Sequence, residues 1–169
     1  MSRPVVNVLF LCTGNSARSI LAEALLNHLG QGRFRAYSAG SHPAGRVNPY
    51  AVALLRERGL AIDDLRSKSW DEFAAPGAPP IDIVITVCDN AAGETCPVWP
   101  GHPAAGHWGI DDPAAAQGSD AEKRAAFALA YERMQRRVAG LLQLPLATLS
   151  PDALKQALAQ IGGLRDQGK

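Results

Sequence analysis

Apolar positions recur along the chain in two periods, and their alternation predicts the architecture. Val5–Leu11 is a near-continuous apolar run interrupted at Asn7, the pattern of a strand covered on both faces. From Ser16 the spacing changes: Ile20, Leu21, Ala24, Leu25 and Leu29 recur at helical intervals until Gly30. Phe34–Ala39 reads as a second strand ending at Gly40. Asn48-Pro49 supplies an N-cap with proline at the first helical position, so a helix runs to about Arg58 and stops at Gly59. Ile81–Val87 is a third strand, apolar and β-branched, and His107–Ile110 a weaker fourth. Ser119-x-x-Glu122 is a capping-box pattern opening a helix to about Leu142, and Ser150-Pro151 opens a last helix that ends at Gly162-Gly163. Strands alternating with helices, with no repeat and only Ala74–Pro80 and Leu144–Leu149 as candidate linkers, predict one α/β domain with a parallel sheet. That domain is expected over 1–149, with 150–169 an appended helix and tail.

Composition narrows the function. The 169 residues suit a single domain that needs no disulfide staples. A net charge of +1 lacks the basic excess of a nucleic-acid-binding protein, so no nucleic-acid partner is expected. No segment approaches the ~18 apolar residues of a membrane span. Val5–Leu11 has no cleavage site behind it and reads as a strand, not a signal peptide. A cytoplasmic location is expected, and three cysteines (Cys12, Cys88 and Cys96) are too few and odd for a disulfide framework.

The first strand runs directly into Cys12-Thr13-Gly14-Asn15-Ser16-Ala17-Arg18-Ser19 and then into a helix. Five residues separate the cysteine from the arginine. Loop amides and the helix N-terminus there converge on one concavity with positive potential. Gly14, and less readily Asn15, can take the left-handed backbone that turns amides inward. Arg18 adds a forked, permanent cation suited to a tetrahedral oxyanion. The same field stabilises Cys12 as a thiolate nucleophile. Against this stands a blander reading, in which Cys12 is a small core residue and Arg18 a solvated helix charge. The order of strand, glycine turn and helix start favours the oxyanion site.

These residues resemble the low-molecular-weight tyrosine phosphatase superfamily, and more closely the arsenate reductases within it. The likeness extends over Ser38-Ala39-Gly40, Asn48-Pro49 and His107-Trp108-Gly109-Ile110-Asp111-Asp112-Pro113. It implies a parallel four-stranded sheet of order 2-1-3-4 with helices on both faces. It also implies that Asp112, the aspartate before proline, is the general acid that protonates a departing oxygen. The competing view is that Asp112 merely initiates a turn. Two departures weaken the phosphatase alternative: Ala114, Ala115 and Ala116 offer no aromatic surface, and Ala17 stands where phosphatases carry a second loop cysteine.

In that sheet order the first and third strands are neighbours, about 4.8 Å apart, and Cys12 and Cys88 follow their carboxyl ends. A bridge between them is then within disulfide reach. Cys96 lies beyond a polar stretch hinged at Gly93 and is placed to take the disulfide from Cys88. Alternatives are incidental thiols, or a zinc site of Cys88, Cys96, His102 and His107. Its spacings of seven, five and four residues miss those of compact zinc sites, so no metal is expected. Some related reductases bind potassium through an Asn, a Glu, a Ser and an Asp. Asn15, Glu23 and Ser38 match three of these, but Trp70 falls near the fourth, and Glu23 otherwise reads as a helix-surface charge. The resemblance implies reduction of arsenate with no cofactor, renewed by thioredoxin or a similar dithiol, or by a glutathione/glutaredoxin system. A phosphomonoesterase and a non-enzymatic oxyanion or redox sensor are the other readings.

Overall fold

The computed structural model describes residues 5–63, 65–87, 104–110, 113–146 and 148–163. Four strands, β1 (Val6–Leu11), β2 (Phe34–Ala39), β3 (Ile83–Thr86) and β4 (Ala104–His107), form one sheet of order β2-β1-β3-β4. Every neighbouring pair is parallel. The helices are α1 (Arg18–Leu29), α2 (Pro49–Glu57), α3 (Asp71–Ala74), α4 (Asp120–Leu142) and α5 (Pro151–Gly162). A 3-10 turn covers Pro113–Ala115.

β1 is an interior strand, which explains its near-continuous apolar sequence. Val8 and Phe10 enter the main core with Ile20, Leu25, Ile85, Trp108, Phe127 and Met134. Leu9 and Leu11 point the other way, into a smaller cluster with Ala39, Phe73, Ile81 and Val84. The main core packs under α1, α2, α4 and α5, whereas among the described residues the second face is covered by α3 and its flanking segments. Period-two alternation with both faces buried is what a central parallel strand requires.

The helix starts follow their caps. Asn48 accepts from the Tyr50 amide at 2.8 Å with Pro49 in the first turn, and Ser119 and Glu122 form the expected capping box. Ser150 accepts from the Ala153 amide. Helix α1 differs. It begins at Arg18, not Ser16, and among the described helices of eight residues or more only its N-cap, Ala17, makes no side-chain hydrogen bond. The Ala17 side chain has no acceptor to offer its first-turn amides.

One expectation on the strands needs correction. The fourth strand is Ala104–His107, three residues earlier than His107–Ile110. Alanine and glycine are poor strand formers, so the sequence hides it, and pairing to β3 decides its position. The backbone bonds run on past it, from Trp108 to Thr86 and from Ile110 to Val87. The four-residue α3 carried no periodic signal. At the far edge, α5 packs on β4: the Trp108 indole donates to the Leu158 carbonyl at 3.0 Å, and Leu158 is fully buried.

Candidate oxyanion site

Cys12 is the first residue past β1, 5% exposed, its amide donating to the Ala39 carbonyl at 3.2 Å. The loop from Thr13 to Ala17 is held from outside. His42, Ala44 and Asn48 donate backbone N–H groups to the carbonyls of Thr13, Gly14 and Ser16, each at 2.9 Å. The Ser67 hydroxyl also donates to the Gly14 carbonyl, at 3.1 Å. In a planar trans peptide the N–H points opposite to its C=O. Outward carbonyls at 13, 14 and 16 therefore turn the amides of Gly14, Asn15 and Ala17 inward, toward the uncapped start of α1. That is an anion-binding concavity built from backbone.

The left-handed residue in this loop is Asn15, with φ of 46°, and not Gly14. Asparagine tolerates that conformation better than most residues, and here its side chain is fixed on every side. Its Nδ2 donates to Ser19 Oγ and to Ser38 Oγ, both at 2.9 Å, and its Oδ1 accepts from the Lys68 amide at 2.9 Å. Asn15, Ser19 and Ser38 are all fully buried.

Gly40 explains how β2 can lie so close to the loop. A Cβ at that position would stand 2.4 Å from the Thr13 carbonyl oxygen and 2.6 Å from that of Cys12. Gly40 also donates to the Lys68 carbonyl and accepts from the Trp70 amide, both at 2.9 Å. The 67–70 segment is thereby stitched to the back of the loop.

Behind Asn15 lies a charge pair that no sequence pattern announced. Glu23 is buried, not a surface charge. It accepts from the Ser38 hydroxyl, and its Oε1 lies 3.9 Å from the Lys68 ammonium. Lys68, equally buried, also donates to the Arg66 carbonyl at 2.9 Å. Burial lowers the Lys68 pKa, while the Glu23 carboxylate raises it. A potassium ion does not fit this set. A positive charge already stands beside Glu23.

Arg18 opens α1 and donates from Nη1 to the Ile110 carbonyl at 3.0 Å. This ties the loop's arginine to the residue before Asp111-Asp112, a link that no spacing announces. After them the buried Pro113 begins the 3-10 turn, where Ala114 and Ala115 are exposed and no aromatic ring stands. β1 and β3 are hydrogen-bonded neighbours up to the Val87 amide, which donates to the Leu11 carbonyl at 2.8 Å. Cys12 and Thr13–Ser19 thus line the passage from β1 into α1. Cys88, Cys96, Asp112 and His102 lie outside the described residues. His107, also weighed as a zinc ligand, has its Nδ1 2.7 Å from the Thr86 hydroxyl. Among the described residues no three His, Cys, Asp or Glu side chains form a metal-ligand group, and no helix is long and apolar enough to cross a membrane.

Residues 7–156 match the family described as low molecular weight phosphotyrosine protein phosphatase. An arsenate reductase of Bacillus licheniformis is 42% identical over 132 residues, covering 78% of this chain and 91% of that protein. A thioredoxin-dependent arsenate reductase of Corynebacterium glutamicum superposes with a TM-score of 0.58 at 29% identity, over 85% of this chain and 64% of its own. The arsenate reductase of Archaeoglobus fulgidus gives 0.58 at 33%, over 78% of this chain and 98% of its own.

Proposed function

The chain belongs to the low molecular weight phosphotyrosine protein phosphatase family, and within it we propose that it reduces arsenate to arsenite. The observation that carries the reading is the outward turn of the Thr13, Gly14 and Ser16 carbonyls. It leaves a ring of amides around Cys12 that fits a tetrahedral oxyanion. Likeness to arsenate reductases over most of the chain supports arsenate as that oxyanion.

In this mechanism the Cys12 thiolate attacks arsenic while the loop amides and Arg18 hold the oxyanion. Asp112 gives a proton to the oxygen that leaves as water. Cys88 then attacks the Cys12 sulfur. The arsenic–sulfur electron pair passes to arsenic, arsenite departs, and a Cys12–Cys88 disulfide remains. Cys96 attacks Cys88 and takes over the disulfide, freeing Cys12. A dithiol donor of the thioredoxin type restores the thiols by exchange. The reaction needs no cofactor.

The phosphatase reading uses Cys12, Arg18 and Asp112 alone. The exposed Ala114 and Ala115 speak against it, because their methyl groups give an aryl ester no ring to stack on. One assay separates the two: arsenite formed with thioredoxin, thioredoxin reductase and NADPH, beside hydrolysis of p-nitrophenyl phosphate. Arsenate-dependent NADPH oxidation with slow phosphatase activity is expected, and brisk hydrolysis without reduction would reverse the assignment.

The nucleophile has its own test. Iodoacetamide at pH 6 is expected to alkylate Cys12 well before Cys88 or Cys96, and phosphate or arsenate to protect it by filling the loop. Peptide mapping reads both. Equal labelling of the three thiols with no oxyanion protection would place the site elsewhere.

A further inference from the structure

We propose that Lys68 is the built-in cation of the oxyanion loop, a positioning residue whose ammonium does from within the chain what a bound alkali-metal ion does from outside. The inference rests on the oxyanion-site reading and adds a residue to it.

The argument begins with what Lys68 touches. Its amide donates to Asn15 Oδ1, its carbonyl accepts from Gly40, and its ammonium lies beside Glu23. These are the left-handed residue of the loop, the glycine packed on its back, and the carboxylate that receives the Ser38 hydroxyl. The chain of bonds is directional. Glu23 as a carboxylate accepts from Ser38, which frees the Ser38 lone pairs for Asn15 Nδ2, and Asn15 then presents its amide to the loop interior. A carboxylate at Glu23 can only accept, which fixes this order, and a nearby positive charge favours that ionised form in a buried site. Lys68, 3.9 Å away, supplies that charge.

The pair is also reachable. Glu23 and Lys68 line an open cleft of about 610 Å³ together with Asn27, Arg35, Arg66 and Glu72. A small cation added to the solution can therefore enter if the ammonium is removed.

The test compares the natural chain with Lys68→Ala and with the charge-free pair Glu23→Gln/Lys68→Met. Melting temperature and phosphate protection of Cys12 against iodoacetamide are measured in potassium or ammonium chloride and in tetramethylammonium chloride at equal ionic strength. The natural chain is expected to give the same values in all three salts. Lys68→Ala is expected to melt lower and to hold phosphate about tenfold more weakly in tetramethylammonium, because a loosened loop misplaces its amides. Potassium or ammonium is expected to recover both. Glu23→Gln/Lys68→Met is expected to fold without any selective response to small cations. Three results would overturn the proposal: potassium dependence of the natural chain, a Lys68→Ala chain as tight for phosphate as the natural one, or a loss that no small cation repairs. Should Lys68→Ala not fold in tetramethylammonium, folding restored by potassium or ammonium supports the proposal, and failure in every salt counts against it. Failure of the oxyanion reading shows separately, as absence of phosphate protection in the natural chain while the melting comparison still reports on the cation.

Discussion

Replacing Cys88 with serine is expected to stop arsenite release almost completely in a donor-free reaction, whereas Cys96→Ser releases about one arsenite per enzyme and then halts. The difference follows from the order of sulfur chemistry. Arsenite cannot leave Cys12 until a second thiol takes its place, so without Cys88 the adduct has no efficient internal exit. Without Cys96 that first exchange proceeds, and the enzyme stops with Cys12 bridged to Cys88, because one disulfide stores the two electrons of one reduction. The sheet supports the first step. β1 and β3 are parallel, hydrogen-bonded neighbours, and Leu11 and Val87 meet at the carboxyl end of the sheet. The measurement is arsenite per enzyme in a pre-reduced sample, followed by mass mapping of the disulfide. Repeated turnover of Cys96→Ser with thioredoxin would remove Cys96 from the relay, with thioredoxin reducing the Cys12–Cys88 disulfide directly.

The second large effect belongs to a residue with no side chain. Gly40→Ala adds one methyl group, but its carbon would lie 2.4 Å from the Thr13 carbonyl oxygen and 2.6 Å from that of Cys12. Both contacts are backbone, so no rotamer relieves them, and either β2 or the oxyanion loop must retreat. A cost of about 3 kcal/mol is expected, at the upper end for overpacking. For a chain of this size that lowers the melting temperature by about 6–12 °C. Phosphate protection of Cys12 is expected to fall with it, because the carbonyls that turn the loop amides inward move together with the strand. Gly14→Ala is the informative companion: Gly14 has ordinary negative φ, and a Cβ there meets only Ser16 Oγ, at 3.8 Å. A chain in which Gly14→Ala destabilises more than Gly40→Ala would contradict this account of the loop.

Much of the fold was legible because it depends on local order. Asn48-Pro49, Ser119-x-x-Glu122 and Ser150-Pro151 mark helix starts through bonds made within one turn, and all three are made. The near-continuous apolar run of β1 reports burial on both faces. β4 failed the same test, since Ala104-Ala105-Gly106 has little strand preference of its own. It is a strand through pairing with Ile83–Thr86 and the packing of Leu158 on Gly106.

The sequence by itself determined the loop that follows β1. Strand, Cys12, a turn of small and polar residues, Arg18 and helix are consecutive, so their order alone dictates which groups meet. Tertiary structure decided how the loop is held. Gly40 against Thr13, Lys68 beside Glu23 and Asn15, and Arg18 on the Ile110 carbonyl join positions far apart in the chain. A lone lysine, glutamate or glycine in sequence has no period and no local partner to announce it. Its role appears only when parallel pairing of β2 with β1 brings 38–40 and 67–70 behind the loop, where burial demands a partner for every charge and every polar hydrogen.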